Sequence, residues 1–176
     1  HPEQKEIFSL DEFIKVFDLK DMKSVGPAFD AVKLRWMNQQ YIQNMDDVEL
    51  AKRILAFEKK DIGLELLLKL LPLVKTRMQT LKDFKDLTVF IFEDPKVTPR
   101  SEEEREIVRE LSELLNGLSD WNTEAILSTF KTILEKHSMK MSVLYFIFTG
   151  NEKGLPLPDS LAILGKDEVL KRLCVS

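Results

Sequence analysis

Apolar residues recur at helical spacing along most of the chain, and small polar residues mark where several of these periods begin. Ser9 and Glu12 have the spacing of a capping box, which predicts a short helix that ends near Asp18. Four apolar residues at helical spacing predict the buried face of this helix: Leu10, Phe13, Ile14 and Phe17.

Helical periods continue after residue 30. Asp30 is expected to cap one helix, and Asp46 or Asp47 the next. The buried residues of this second helix are predicted to be Val48, Ala51, Ile54 and Leu55. The run 64–71 predicts a segment that lies almost entirely in the core. Pro72 is expected in the first turn of a separate helix, where its missing N–H costs nothing. The charged residues of that helix are predicted to stay outside: Lys75, Arg77 and Lys82.

The segment 93–100 has two prolines and no apolar period, which predicts a linker and a domain boundary. Beyond it, Ser101 and Glu104 have the spacing of a second capping box. The helix that follows is predicted to end at Asn116-Gly117, because glycine ends helices readily.

The C-terminal part predicts further helices. Asn122 or Thr123 is expected to cap the first of them, and Asp159 a later, short one. Gly165 is predicted to end that short helix, and residues 166–173 to form the last.

Composition indicates a soluble globular chain. Of 176 residues 44% are hydrophobic, which is enough for a real core. No apolar run approaches the ~20 residues that span a bilayer, and no signal peptide is recognisable at the start. Cys174 is the single cysteine, which excludes an internal disulfide and fits a reducing cytoplasm.

The charge of the chain argues, taken alone, against nucleic acid. The net charge is −4 and the pI about 5.4, whereas phosphate binding depends on Lys and Arg. However, the windows 31–45, 66–82 and 136–151 contain no acid, while acid collects in 102–113. This distribution permits a basic face on an acidic protein.

Three separated motifs carry a resemblance to a known family. The first is Lys-Ser-x-x-Pro-Ala-Phe-Asp, then Lys-Leu-x-Trp-Met-Asn and Tyr-Ile, in residues 23–42. The second is Pro-Leu-Val-x-x-Arg-x-x-Thr-Leu in 72–81, and the third is Leu-Gly-Lys-Asp-Glu in 164–168. In this order they resemble the tRNA-binding region that follows the catalytic core of bacterial-type glutamyl-tRNA synthetases.

The resemblance implies an all-α fold with two small helical subdomains. Residues 1–93 are expected to form the stem-contact and first anticodon-binding portion, truncated at its N-terminal side. Residues 94–176 are expected to form the distal anticodon-binding helical cage. The resemblance also favours helices for 88–92 and 142–150, where β-branched and aromatic residues favour strands.

The family holds ATP with a His-x-Gly-His turn and a Lys-Met-Ser-Lys-type loop, and the chain has neither. Lys140-Met141-Ser142 mimics the second signature, but Val143 and Leu144 follow where a basic residue is required. We therefore expect no catalysis, cofactor or metal in this fragment. The full-length parent, a glutamate–tRNA ligase, is expected to use ATP and Mg²⁺ in the cytoplasm.

The resemblance implies two partners, the glutamate-specific tRNA and an upstream catalytic domain of the same chain. Neither DNA nor a membrane is expected as a partner. The resemblance and the positive charge together select these candidate RNA-binding residues: Lys33, Arg35, Asn38, Tyr41, Arg77, Lys82, Lys140, Tyr145, Leu155, Pro156 and Leu157.

The residues leave alternatives open. Arg77 either contacts RNA or pairs with Asp83 or Asp86. The loop 154–157 either meets the anticodon bases or covers the end of the last helices. Around Asp30, the alternative to RNA binding is that four large apolar residues lie in the core while Lys33 and Arg35 form a solvated face, and both can hold at once. The four residues are Phe29, Leu34, Trp36 and Tyr41. For the whole chain, the alternative is a helical protein-interaction module without RNA binding.

Overall fold

The computed structural model describes residues 6–21, 26, 29–59, 62–99 and 101–173. These residues form ten α-helices, a short 3-10 helix at Leu19–Asp21 and no β-strand. The α-helices have these bounds: α1 Leu10–Val16, α2 Ala31–Asn44, α3 Asp47–Glu58, α4 Leu64–Val74, α5 Lys82–Phe92, α6 Glu102–Asn116, α7 Thr123–Lys136, α8 Met141–Thr149, α9 Leu157–Leu164 and α10 Lys166–Leu173. The all-α prediction is confirmed, including the two segments whose residue types favour strands.

Side-chain caps begin several of these helices as predicted. The Ser9 hydroxyl accepts from the Glu12 N–H, and the Glu12 carboxylate accepts from the Ser9 N–H. Asp30, Asp46 and Asn122 each accept from backbone N–H groups two or three residues later. Such caps involve neighbouring residues alone, which is why the sequence predicts them.

The prediction that Asp159 caps a helix is wrong. Helix α9 begins at Leu157, three residues earlier than predicted, with Pro156 at its N-cap. Asp159 lies within the first turn, where its charge complements the helix dipole. Gly165 ends this helix as predicted.

Two hydrophobic clusters form the interior. The first is built from α2 to α5 and includes the fully buried Leu67, Leu71 and Met78. The second is built from α6 to α10 and includes Leu111 and Phe130. The coil between α5 and α6 agrees with the predicted linker, although the division into two subdomains stays a prediction.

The two clusters are connected by the last helices. Leu155 belongs to the first cluster, and Ile163 and Leu164 of α9 pack against it. The Arg172 guanidinium of α10 donates to the main-chain carbonyls of Phe90 and Ile91. These carbonyls belong to the last turn of α5, where helix carbonyls lack partners within the helix.

The predicted burial of α1 is wrong. This helix has no buried residue, and its apolar side chains Leu10, Phe13, Ile14 and Phe17 are all exposed. In α2 only Ile42 is buried. The core interpretation of this region is therefore wrong too, because the following residues are exposed: Phe29, Leu34, Trp36 and Tyr41.

Pro72 does not begin a helix but lies inside α4. Helical hydrogen bonding resumes beyond it, since the Lys75 N–H donates to the Leu71 carbonyl at 2.9 Å. Because α4 ends at Val74, the proline removes only a bond in the final turns. The run before it is amphipathic and not all core, since Leu64 is exposed while Leu67 is buried.

Two predicted orientations near this helix are also wrong. Lys75 points inward, and its Nζ donates to the Met45 carbonyl and to Asp47 Oδ1, each at 2.6 Å. It thereby joins the C-cap of α2 to the first turn of α3. Val48 is exposed, and Leu50 takes the buried position on α3.

None of the described helices has the length and apolarity to cross a membrane.

Candidate nucleic-acid interface

The turn 75–81, between α4 and α5, is held against α2 by side-chain amides. Gln39 and Gln43 donate to the Thr76 carbonyl at 3.1 and 3.2 Å. The Asn38 amide donates to the Gln79 carbonyl. Thr76 and Gln79 lie beyond the last residue of α4, so their carbonyls have no hydrogen-bond partner within that helix. The polar side chains of α2 supply these partners and thereby fix the path of the turn.

Asp83 braces the same turn from α5. Its carboxylate accepts from the Gln79 N–H at 2.7 Å, the Thr80 N–H at 2.9 Å and the Thr80 hydroxyl at 3.0 Å. Burial by itself raises the pKa of Asp83, but these hydrogen bonds and the charge of Arg35 together hold it below its ordinary value. The turn is therefore stabilised most when Asp83 is ionised.

Arg77 lies in this turn, Lys82 follows it at the start of α5, and the charge of Arg35 on α2 acts on Asp83. We refer to Arg35, Arg77 and Lys82 as the basic turn surface. All three are exposed. Within the described ranges, none of them forms an ion pair, so Arg77 pairs with neither Asp83 nor Asp86. One nitrogen of Arg77 donates to the Leu73 carbonyl at 3.3 Å, which leaves other guanidinium N–H groups available to a ligand.

Three other candidates have their donors engaged within the chain. Lys33 pairs with Glu6 at 2.8 Å, and this hydrogen bond raises the pKa of the Lys33 ammonium. The Tyr41 hydroxyl donates to the Phe8 carbonyl at 2.8 Å. Asn38 donates to the turn as described above. Each holds segments of the chain together, and a role in RNA binding stays a prediction for all three.

The predicted C-terminal loop is built into the fold. The side chains of Leu155 and Leu157 are 0% exposed and lie in the first and second cluster, respectively. The Tyr145 hydroxyl donates to the Leu155 carbonyl at 2.8 Å. Of the other two residues of the loop 154–157, Gly154 is exposed and Pro156 is partly exposed. In this fold the two leucine side chains face the interior, which corrects the expectation that a leucine there packs on a base.

Lys140 lies apart from these groups in the sequence and immediately precedes α8 as its N-cap residue. Its side chain is exposed. Lys140-Met141-Ser142 therefore forms the start of a helix. In the described part of the chain, no cluster of His, Cys, Asp and Glu could hold a metal ion.

Sequence reasoning missed Gln39, Gln43 and Asp83, which position the basic turn surface. A signal was present, since Gln39 and Gln43 stand four residues apart and so share one helix face. Asp83 stands three residues after Thr80, at the start of a helix, where carboxylates accept from free N–H groups.

The comparison with known protein families decides what kind of domain presents this surface. The family described as Anticodon binding domain matches residues 37–175. The chain belongs to the anticodon-binding domain family. All candidate residues except Lys33 and Arg35 fall inside the match.

Curated relatives of this anticodon-binding domain are longer proteins. Glutamate–tRNA ligase 1 of Fervidobacterium nodosum is 34% identical over 98% of this chain and 38% of the relative. Glutamate–tRNA ligase of Flavobacterium johnsoniae is 31% identical over 96% of this chain and 36% of the relative. The chain thus spans less than half the length of these relatives and corresponds to their C-terminal part.

A solved structure supports the same assignment. The crystal structure of a glutamate tRNA ligase from Elizabethkingia meningosepticum, in complex with its amino acid, superposes with a TM-score of 0.82 at 31% identity. The similarity covers 98% of this chain and 37% of that one. The anticodon-binding domain described here therefore has the fold of the C-terminal region of such a ligase and lacks the catalytic core.

Proposed function

We propose that this chain is the tRNA-binding C-terminal portion of a glutamate–tRNA ligase and holds the anticodon arm of the glutamate-specific tRNA. The family match and the likeness to glutamate–tRNA ligases support this proposal. The main structural observation behind this proposal is the basic turn surface. Although the chain as a whole is acidic, the three cations of this surface are exposed and form no ion pair with the described residues.

The physical logic concerns two kinds of RNA contact. Phosphates are bound by exposed cations, and Arg77 can offer a planar pair of donors to one phosphate. Unpaired anticodon bases can be stacked and read on their edges, which a paired stem forbids. We assign the first kind of contact, on the stem side, to residues 1–93 and the second to residues 94–176.

The remaining chemistry belongs to the rest of the ligase. In this proposal an upstream catalytic domain of the same chain uses ATP and Mg²⁺ to attach glutamate to the tRNA. The chain described here contributes by placing the tRNA, because productive placement is part of specificity. The proposed partner is tRNA and neither DNA nor a lipid surface, and the proposed compartment is the cytoplasm.

Direct binding of tRNA to the 176-residue chain tests the proposal. We expect a glutamate tRNA transcript to bind in a salt-dependent way, and a tRNA with an unrelated anticodon to bind at least about tenfold more weakly. A double variant Arg77→Ala with Lys82→Ala should lose affinity and salt dependence together. The control is Arg105→Ala with Arg109→Ala, which removes two exposed arginines from the acidic helix α6.

A protein-interaction module is the alternative, and the comparisons do not favour it. It predicts equal, weak binding of both tRNAs and no difference between the two double variants. That result would overturn the proposed function.

A further inference from the structure

The last turn of α5 is held by a side chain from the C-terminal helix. Arg172 of α10 donates from two guanidinium nitrogens to the main-chain carbonyls of Phe90 and Ile91, the second at 3.4 Å. Its third nitrogen donates to Glu168 at 2.8 Å, one turn earlier on α10. A planar guanidinium offers its N–H groups in fixed directions. These three bonds together therefore define how α10 and α5 face each other.

Arg172 is largely buried, with 9% of its side chain exposed. Burying a charge costs free energy unless hydrogen bonds and an opposite charge compensate it. Glu168 supplies the opposite charge, and the hydrogen bond from Arg172 lowers the pKa of the Glu168 carboxyl. An aliphatic side chain of similar size would fill this position without the cost of burying a charge. The guanidinium thus indicates a need for defined geometry in addition to adhesion.

Helix α5 connects this contact to the candidate RNA surface. Its first residue is Lys82, a member of the basic turn surface, and the next residue, Asp83, braces the turn itself. Its last turn is the part that Arg172 holds. Eleven helical residues form a rod of about 16 Å, so a tilt of about 10° at one end moves the other end by about 3 Å. A displacement of that size at the basic turn surface breaks a hydrogen bond to a phosphate.

Apolar contacts also join the two clusters. Helix α9 packs against α4 of the first cluster and against α7 of the second, and the Leu155 side chain enters the first. Apolar burial is non-directional, so these contacts hold the clusters together more strongly than they fix an angle. Residues 94–99 between α5 and α6 are coil, which by itself sets no angle either. The bonds of Arg172 supply direction where α5 meets α10.

We propose that Arg172 is a positioning residue for tRNA. By holding the last turn of α5, it sets the angle between the basic turn surface and the second cluster, so that both meet the same anticodon arm at once. This inference rests on the proposed function. Two contacts on one rigid body strengthen each other, because the second contact forms at high effective concentration. Arg172 acts through α5 and touches no RNA itself, since its side chain is buried.

The variant Arg172→Met tests the inference. Methionine fills apolar space adaptably and has no donor, so the chain should still fold while the angle is no longer defined. Arg172→Lys keeps the charge and loses the fork of donors, and it should lie between Arg172→Met and the wild type in each measurement. The matched control is Arg53→Met. Arg53 forms the same pair, four residues apart, with Glu49 at 2.8 Å, but both residues lie on α3 and Arg53 is exposed.

The first measurement is the effect of Arg77→Ala on the affinity of the 176-residue chain for a glutamate tRNA transcript. We expect Arg77→Ala to weaken binding about tenfold in the wild type and in Arg53→Met, but less than about threefold in Arg172→Met. The reason is that the Arg77 contact no longer acts together with the second cluster in Arg172→Met. A purely structural Arg172 would lower the free energy of unfolding and leave the tenfold effect of Arg77→Ala unchanged. That result would overturn the inference.

The second measurement needs no RNA. Residual dipolar couplings of the backbone amides report the orientation of each helix in solution. We expect one alignment tensor to fit helices α2 to α5 and α6 to α10 together in the wild type and in Arg53→Met. Arg172→Met should require a different tensor for each group of helices. A single tensor that fits all of these helices in Arg172→Met overturns the inference.

The two measurements separate this inference from the proposed function. If Arg172→Met requires two tensors but the wild type binds no tRNA, the orientation assigned to Arg172 stands and the proposed function fails. If Arg172→Met does not fold, Arg172→Lys takes its place in both measurements. An unchanged tenfold effect of Arg77→Ala in Arg172→Lys, with one tensor for all the helices, then overturns the inference.

Discussion

The Tyr145 hydroxyl donates a hydrogen bond of 2.8 Å to the Leu155 carbonyl. This bond connects α8, which packs in the second cluster, to a residue whose side chain enters the first. The ring of Tyr145 also lies beside Gly154, where an added Cβ would meet it at 3.7 Å. Tyr145 thus holds the loop that crosses between the two clusters.

Replacing this tyrosine should loosen the crossing. Tyr145→Phe keeps the ring and removes the donor, so the partly buried Leu155 carbonyl loses its partner. We expect the free energy of unfolding to fall by about 1 kcal/mol, measured by urea denaturation. Tyr41→Phe is the control, because it removes the same kind of bond at a more exposed side chain and should cost less. Equal losses would contradict this assignment.

The loop leucines should behave as core residues. Leu157 is fully buried, so Leu157→Ala should destabilise the chain by about 2–5 kcal/mol, whereas Leu114→Ala should cost less than about 1 kcal/mol. A change of Pro156-Leu157 to Gly-Gly would accordingly damage the fold. Pro156→Ala is the cleaner probe of this loop for tRNA binding, since it keeps Leu157 in place. A stable Leu157→Ala variant would contradict the burial described here.

Arg77 should contribute to tRNA affinity through its fork of donors. We expect Arg77→Ala to weaken tRNA binding about tenfold. The affinity of Arg77→Lys should lie between those of Arg77→Ala and the wild type, because Lys keeps the charge and loses the fork of donors. Filter binding at several salt concentrations measures both effects. Arg109→Ala, on the acidic helix, should change nothing. Unchanged affinity in both Arg77 variants would remove this residue from the interface.

Asp83 should make the stability of the turn depend on pH. Its pKa in the folded chain is below the ordinary value, so its contribution is fully present above the pKa of the unfolded chain. That contribution is lost as pH falls through the folded pKa. Asp83→Asn should therefore cost about 1–2 kcal/mol at neutral pH, and the difference from wild type should shrink in acid.

Thermal unfolding across this pH range measures the effect of Asp83. Asp86→Asn, on the same helix and exposed, is the control and should lower the free energy of unfolding at neutral pH by less than Asp83→Asn does. A constant difference between Asp83→Asn and wild type down to strong acid would show that the charge of Asp83 is not involved.

The isolated chain should not bind ATP. Its sequence contains neither of the two phosphate-binding signatures of the synthetase family. Isothermal calorimetry with ATP and Mg²⁺ should therefore give no saturable heat, while the same preparation binds tRNA. Saturable binding would mean that a nucleotide site exists in the chain.

Local structure was predictable because it depends on residues close together in the chain. The caps at Ser9, Asp30 and Asn122 each join groups within three residues. The segments 88–92 and 142–150 have strand propensity, yet they belong to the regions of α5 and α8. Their helical structure was predicted from the family resemblance and not from residue propensity. The family itself was recognisable from separated motifs in order.

Burial was less predictable, because it depends on what lies opposite a helix. The stripes of α1 and α6 look alike in sequence, yet in the described part of the chain α6 buries its stripe and α1 has no buried residue. Lys75 has the pattern of an exposed residue, and the junction of α2 and α3 supplies the acceptors that draw it inward.

By itself the sequence determined most of the helices, several of their caps and the family, since these depend on local spacing and on ordered motifs. The tertiary structure alone decided which candidates remain available to RNA. It left the basic turn surface exposed, engaged the donors of Asn38 and Tyr41, and buried Leu155 and Leu157. The reason is that a side chain's exposure depends on long-range packing across two clusters, which spacing along the chain does not encode.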